Sequence, residues 1–350
     1  MFDQRKARAL FSLWRARFTR QEERLNALDR AIGDGDHGTT VARAFRAAER
    51  RVLTGEFTTL GALFDAAATT LAESAGGAIG PLISALVAQG GTAFHGTTAV
   101  AMSAIVRCFE QGVDAVQAVG HAEVGDKTLL DALMPAVKAL RAHADGDPSA
   151  AFDVALEAAR RGAADTAQMV ATHGRARFLG ERARGHEDPG ANTICVLIEA
   201  CRDLIAGERA APLGIATEHP SPTPPPTGKL LNDPADMITE ELKGLAQAHP
   251  HYIRRTEHPG VLARAHPKAP GKVGLAIGHG GGHTPSMAGF IGEGLLDSDA
   301  YGSLFTCASG VRIAQAIETA DRGAGVALLV SHHTGDVLNA RLALHRAEQL

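Results

Sequence analysis

Three aspartates, Asp29, Asp34 and Asp36, fall within eight positions of the segment "ALDRAIGDGDHGTT", interleaved with Gly33, Gly35 and Gly38. Carboxylates this close repel one another at neutral pH and glycine weakens a helix, so the cluster is costly unless a cation neutralises it. Magnesium suits the donor set, because it takes hard oxygen ligands and is commonly held by one or two carboxylates together with nucleotide phosphates. The residues "HGTT" that follow would open a helix, whose free backbone N–H groups and dipole favour a phosphate. The calcium-loop pattern ending in Glu is absent. A bare D-x-D would read as a capped surface turn; the longer D-x4-D-x-D-H-G at a helix start points to the metal.

Other glycine-rich segments are candidates for the same site. "SAGGAIGPL" (74–82) joins two helices through Gly76, Gly77 and Gly80, "VGDKTLLDAL" (124–133) starts a helix, and "HGRARFLGERARGHEDPGANT" (173–193) sets Arg175, Arg182 and Arg184 beside Asp188 and Gly190. Each could equally be a simple interhelical loop.

The elements that must carry these loops are helices throughout the first two hundred residues. Apolar residues recur at helical spacing over roughly 4–28, 39–53, 59–74, 80–94, 97–119, 126–144, 149–171 and 190–206, with no strand-like alternation between them. An eight-helix, all-α domain is expected over 1–206. Residues 207–228, "GERAAPLGIATEHPSPTPPPTG", read as a Pro-rich linker. From 229 to 350 the pattern alternates. Asp233 or Asp236 would cap a helix through "ADMITEELKGLAQA", "KVGLAIG" reads as a buried strand and "GHGGGHTP" as a loop. "SLFTCAS" and "GVALLVS" read as further strands flanking a helix near 310–320, with a last helix from Gly335. Such alternation implies an α/β domain with a parallel sheet, of only about three strands.

Composition bounds the function. The 350 residues, 45% hydrophobic and 21% charged, suit two globular domains rich in alanine, which favours close helix packing. A formal charge of −4 gives no basic footprint for nucleic acid, and no apolar run approaches a membrane span. Charges through the N-terminus exclude a signal peptide, and the four cysteines form no C-x-x-C pair, so a reducing cytoplasm is expected.

The segments "LDRAIGDGDHGTT", "GGAIGPL", "GDKTLLDALMPA" and "GRARFLGERARGHEDPGA", in this order, resemble the ATP-binding L domain of dihydroxyacetone kinases over about residues 5–206. The resemblance implies an eight-helix barrel holding ATP or ADP and two Mg2+ ions at one end. Asp29, Asp34 and Asp36 match its magnesium ligands, and His37, Gly38, Thr39 and Thr40 would lie along the phosphates. Ile79, Gly80, Gly120, Leu129, Arg175, Asp188, Pro189 and Gly190 match further nucleotide contacts. Ile79 stands where the family usually has serine, so a hydroxyl contact is lost there.

Residues 229–350 resemble the first half of the family's substrate-binding K domain. His283 and Asp336 match its acid–base pair, and Gly280, Gly281 and Gly282 would let backbone approach a small polyol. The chemistry is coherent: a substrate hydroxyl must lose its proton as it attacks the γ-phosphorus, and histidine titrates near neutrality. This chain departs from the pattern. The usual "GGGSGHEP" is "GHGGGHTP" here, so Ser and Glu become Gly281 and Thr284 and His279 intrudes among the glycines, and Ser331 stands where a substrate-binding lysine is expected. The family's second K half, with the histidine that holds the ketone covalently, has no counterpart in the sequence.

The implied function is ATP- and magnesium-dependent phosphorylation of dihydroxyacetone or a related short ketose such as erythrulose. The implied assembly is a homodimer, or a complex with a separate K-type subunit. Two alternatives stand beside it: an ADP-holding, phosphotransferase-dependent kinase subunit, and a non-catalytic nucleotide-binding regulator.

Overall fold

The computed structural model describes residues 1–207, 232, 236–304 and 306–347; the expected linker beyond Gly207 and Asp233 lie outside them. The chain divides into two compact units, Met1–Pro212 and Leu213–Leu350. Among the described residues no helix is long and apolar enough to cross a membrane.

The described part of the first unit holds eight α-helices: α1 Gln4–Ile32, α2 His37–Thr54, α3 Leu60–Ser74, α4 Ile79–Ala93, α5 Met102–Gly120, α6 Leu130–Ala142, α7 Pro148–Asp165 and α8 Pro189–Ile205. Several start on caps visible in the sequence. Asp3, Thr59, Asp147 and Asp188 each accept a hydrogen bond from an amide of the first turn, and proline follows two of them. Each helix packs on the next and α8 returns to α1, which closes a ring. Its core is aromatic near the start of α1, where Phe11, Trp14, Phe45 and Phe64 meet edge to face, and alanine-lined along α2 and α3.

Two corrections concern the first unit. A short antiparallel pair, β1 Phe2–Asp3 with β2 Ala99–Val100, interrupts the expected all-α pattern. Residues 126–129 are turn instead of helix, because Asp131 accepts hydrogen bonds from both Gly125 N (2.6 Å) and Thr128 N (2.6 Å) and folds the segment back on itself.

The second unit contains α9 Met237–Ala248, β3 Ile253–Arg255, β4 Val261–Arg264, β5 Gly274–Gly281, β6 Ser298–Leu304, α10 Gly310–Ala320, β7 Val326–Leu329 and α11 Thr334–Ala347. Its sheet corrects the expected parallel sheet of three strands: it is mixed, five-stranded, in the order β3-β4-β6-β5-β7. β5 runs parallel to β6 and β7, whereas β4 is antiparallel to β3 and β6. β3 and β4 are too short and too charged to show alternation. β6 begins five residues before "SLFTCAS", and β5 continues into the glycines expected to be loop. Leu242 of α9 joins one apolar cluster with Ile253, Leu262, Ile277 and Tyr301, while Ile313 and Ala316 of α10 join another with Val261 and Ala300.

Candidate active site

The up-and-down packing of ring neighbours puts the starts of α2, α4, α6 and α8 at one end of the ring, with the ends of α1 and α5. Every nucleotide- or metal-matching residue of the first unit lies in those turns or in the loop that carries Arg175. Asp29 is in the last turn of α1; His37, Gly38, Thr39 and Thr40 open α2; Ile79 and Gly80 open α4. Gly120 closes α5, Leu129 precedes α6, and Asp188, Pro189 and Gly190 start α8.

The three aspartates converge. Asp29, Asp34 and Asp36 each present a carboxylate oxygen, and the three lie within 4.8 Å of one another. Asp29 also builds the turn: its Oδ2 accepts from Gly35 N (2.8 Å), Asp36 N (3.1 Å) and His37 N (3.3 Å). Asp34 forms an ion pair with Arg175. Burial, with the charge of Asp34 beside it, raises the carboxyls of both Asp29 and Asp36 above the usual range. An all-oxygen, mutually repelling set of this kind fits a hard divalent cation.

The start of α2 is less open than expected. His37 N–H is engaged by Asp29 and Thr39 N–H by Asn26 Oδ1 (3.0 Å). Gly38 has a packing cause, because a Cβ there would stand 2.0 Å from the Glu22 carbonyl oxygen. His37 Nε2 reaches Thr193 Oγ1 of α8 at 2.7 Å, and burial lowers the ring to about 4, so the imidazole is neutral near pH 7. Asp188, capping α8 through Ala191 N (2.7 Å), is raised to about 7 by burial, and its charge interacts with Lys127, Asp131 and Asp29. Gly190 packs against Leu129: a Cβ there would lie 3.4 Å from the leucine Cβ.

In the second unit the parallel pairing of β5 with β7 aligns their C-terminal ends, the edge where open α/β sheets bind ligands. His283 follows β5 by two residues and is exposed, while Asp336 lies buried in the first turn of α11. Ser331 donates to Asp336 Oδ2, and Oδ1 is buried with no partner among the described residues. Gly280 and Gly281 have a protein cause: a Cβ would meet Thr306 O at 3.1 Å and Gly302 O at 2.8 Å, respectively. Gly282 takes φ +88°, which favours glycine.

His279, which intrudes among the glycines, is buried on the sheet. Its Nδ1 faces Gly280 O at 2.7 Å and its Nε2 faces Asp299 Oδ2 at 3.2 Å. Burial alone would lower its pKa, but the hydrogen bond and charge of Asp299 outweigh burial and raise it. Asp299, Lys127 and Asp131 shape the hydrogen bonding beside these residues and are not among the candidates read from the sequence. The spacing Thr128-x-x-Asp131, a capping-box pattern, could have revealed the last.

Residues 31–203 match the DAK2 domain and residues 243–350 the Dak1 domain. The chain is 36% identical over 186 residues to the ADP-binding subunit DhaL of the PEP-dependent dihydroxyacetone kinase of Escherichia coli, covering 52% of this chain and 88% of that protein. The chain belongs to the dihydroxyacetone kinase family. Its second unit is 41% identical over 120 residues to the dihydroxyacetone-binding subunit DhaK of the PTS-dependent enzyme of Lactococcus lactis, covering 34% of this chain but only 36% of that subunit. The first unit is also 35% identical over 181 residues to the L-erythrulose 1-kinase of Mycolicibacterium smegmatis, covering 51% of this chain and 32% of that enzyme. Among solved structures, the dihydroxyacetone kinase of C. freundii in complex with AMP-PNP and Mg2+ is 29% identical, with a TM-score of 0.44, covering 56% of this chain and 33% of that one. In this family member an L-type unit therefore precedes a partial K-type unit.

Proposed function

We propose that the helical unit binds ATP or ADP with magnesium at the end of the ring marked by Asp29, Asp34 and Asp36. We further propose that the chain takes part in phosphorylating dihydroxyacetone or a related short ketose such as erythrulose. The observation that carries this reading is the convergence of three carboxylates within 4.8 Å, at the end of the ring where four helices begin. Magnesium bound there would neutralise charge on the nucleotide phosphates. Asp34 and Asp36 would hold the metal directly. Asp29, already fixed by three backbone amides, would hold both the metal and the turn. Arg175 would leave Asp34 for phosphate oxygens, a stronger charge-assisted partner once a cation occupies the carboxylates. His37, Gly38, Thr39 and Thr40 would line the phosphates, and Ile79, Gly80, Gly120, Leu129, Asp188, Pro189 and Gly190 the rest of the nucleotide.

In the second unit His283 and Asp336 would bind the ketose hydroxyls and accept the proton of the attacking hydroxyl. Asp336 is suited to this because one buried oxygen has its partner in Ser331 and the other has none among the described residues. This unit spans 36% of the dihydroxyacetone-binding subunit it matches; the assembly expected from the resemblance is a homodimer or a complex with a separate K-type subunit. The four cysteines, none of them disulfide-bonded, suit a cytoplasmic setting.

A second reading is favoured by the 88% coverage of an ADP-binding subunit from a PEP-dependent enzyme. Here ADP stays bound and relays phosphate from a phosphorylated carrier protein. One experiment separates the two: the full chain is offered MgATP with dihydroxyacetone or erythrulose. ADP release that depends on ketose and is lost in Asp34→Asn supports the ATP-dependent kinase. Copurifying ADP that resists exchange, with phosphate arriving only from a phosphorylated carrier, supports the relay.

A further inference from the structure

Lys127 is 2% exposed and has φ +60°, a backbone conformation that a non-glycine residue adopts only where its surroundings impose it. Asp131 imposes it here, holding Gly125 N and Thr128 N on either side. The ammonium points inward and donates to two backbone carbonyls, Thr166 O and His186 O, each at 2.5 Å. Burial lowers its pKa while the charges of Asp188 and Asp131 oppose that shift. A buried ammonium is expensive to desolvate, so a lysine kept there needs its donors satisfied and does something an apolar residue would not.

The two acceptors explain what that is. Thr166 is where the chain leaves α7, and His186 is where it returns towards α8; between them runs the loop that carries Arg175. Both roots are stitched to the same place. Thr172 donates its amide to Asp126 O (3.3 Å) and its hydroxyl to Asp126 Oδ1 (2.6 Å). Gly185 N donates to Ala167 O (2.8 Å) and Asp188 N to Thr166 Oγ1 (2.9 Å). Beyond its roots the loop is anchored once more, by Ala171 and Ala183 buried with Ile32 at the end of α1, while its outer side chains face solvent: Arg175 is 66% exposed and Phe178 is 75% exposed. The placement of Arg175 over Asp34 therefore depends on this apolar contact and on where the roots are held, and only the roots are fixed by a charged group.

We infer that Lys127 is a positioning residue of the nucleotide site: its ammonium clasps the two roots of the 169–187 loop and so holds Arg175 against the carboxylate cluster and Asp188 at the start of α8. The link to nucleotide rests on the reading under Proposed function; the clasp itself does not.

The test uses the full chain with Lys127→Met, which keeps the stem and removes the donors, and Thr172→Val, which loosens the Asp126 stitch without burying a charge. Amide hydrogen exchange and MgADP titration are measured on both. Two charge-assisted hydrogen bonds are lost in Lys127→Met, so exchange at Gly185 and Asp188 should quicken by about tenfold or more, with α3–α5 unchanged. MgADP affinity should fall by a similar factor, and Thr172→Val should act in the same direction but more weakly. Unchanged exchange at Gly185 and Asp188, or equal quickening through every helix of the unit, would overturn the clasp. Should Lys127→Met not fold, Thr172→Val decides: quickening confined to the loop roots supports the clasp, and no local change overturns it. If wild-type protein bound no MgADP while the exchange pattern held, the nucleotide reading would fail and the clasp would stand.

Discussion

The two candidate sites are built in opposite ways. In the helical unit the aspartates sit within one turn, and Asp29 holds that turn by its own carboxylate, so chemistry and local structure share the same nine residues. In the α/β unit His283 and Asp336 are separated by two strands, β6 and β7, and the helix α10 between them, and reach one edge only because β5 and β7 pair in parallel. A self-built turn tolerates change elsewhere in the fold. A site assembled by topology depends on the whole sheet and on whatever completes it. The natural fluorophores divide the same way, with the single tryptophan, Trp14, in the first unit and both tyrosines, Tyr252 and Tyr301, in the second.

Substitutions should separate the two sites. The largest effect is expected for Asp336→Asn, which removes a proton acceptor: ketose-dependent ADP release should drop by about 10²–10⁴-fold while MgADP affinity is unchanged. Asp36→Asn should do the reverse, weakening MgADP binding by roughly a hundredfold through the metal, with tyrosine-reported unfolding unaltered. A phosphorylation rate that fell equally with an intact MgADP affinity in both variants would erase the contrast. Arg175→Ala should cost about tenfold in MgADP affinity, yet leave tryptophan-reported stability within about 0.5 kcal/mol, because an exposed ion pair adds little to folding.

Gly38→Ala tests how tightly the turn is tied to its helices. The new Cβ would press on the Glu22 carbonyl of α1, and overpacking of this kind costs about 1–3 kcal/mol, visible as a lower urea midpoint by Trp14 fluorescence. The smallest effect concerns the buried pair of the second unit. His279 holds its proton more tightly in the folded state than at its ordinary 6.5. The stability this confers is therefore full below about pH 6.5 and lost as pH rises through the folded value. Tyrosine-reported stability should decline on that alkaline side in the wild type and stay flatter in His279→Gln/Asp299→Asn.

What could be read beforehand follows the same division. The eight helices announce themselves by spacing and by caps such as Thr59 and Asp147, and the aspartate turn is contiguous in sequence. The antiparallel strands β3 and β4 are three and four residues long and carry arginines, so no periodicity marks them. The role of Lys127 depends on carbonyls 39 and 59 residues away, and the His279–Asp299 pair on a register between two strands, neither of which a local pattern encodes. The glycines of "GHGGGHTP" suggest ligand approach in sequence, yet two of them are set by neighbouring carbonyls.

The most direct test is calorimetric titration of ADP into the full wild-type chain, with magnesium and then with magnesium chelated, repeated on Asp34→Asn. The account predicts one nucleotide per chain, binding that collapses without the metal and again in the variant. Nucleotide binding that is indifferent to both magnesium and Asp34, or no binding at all, would contradict it.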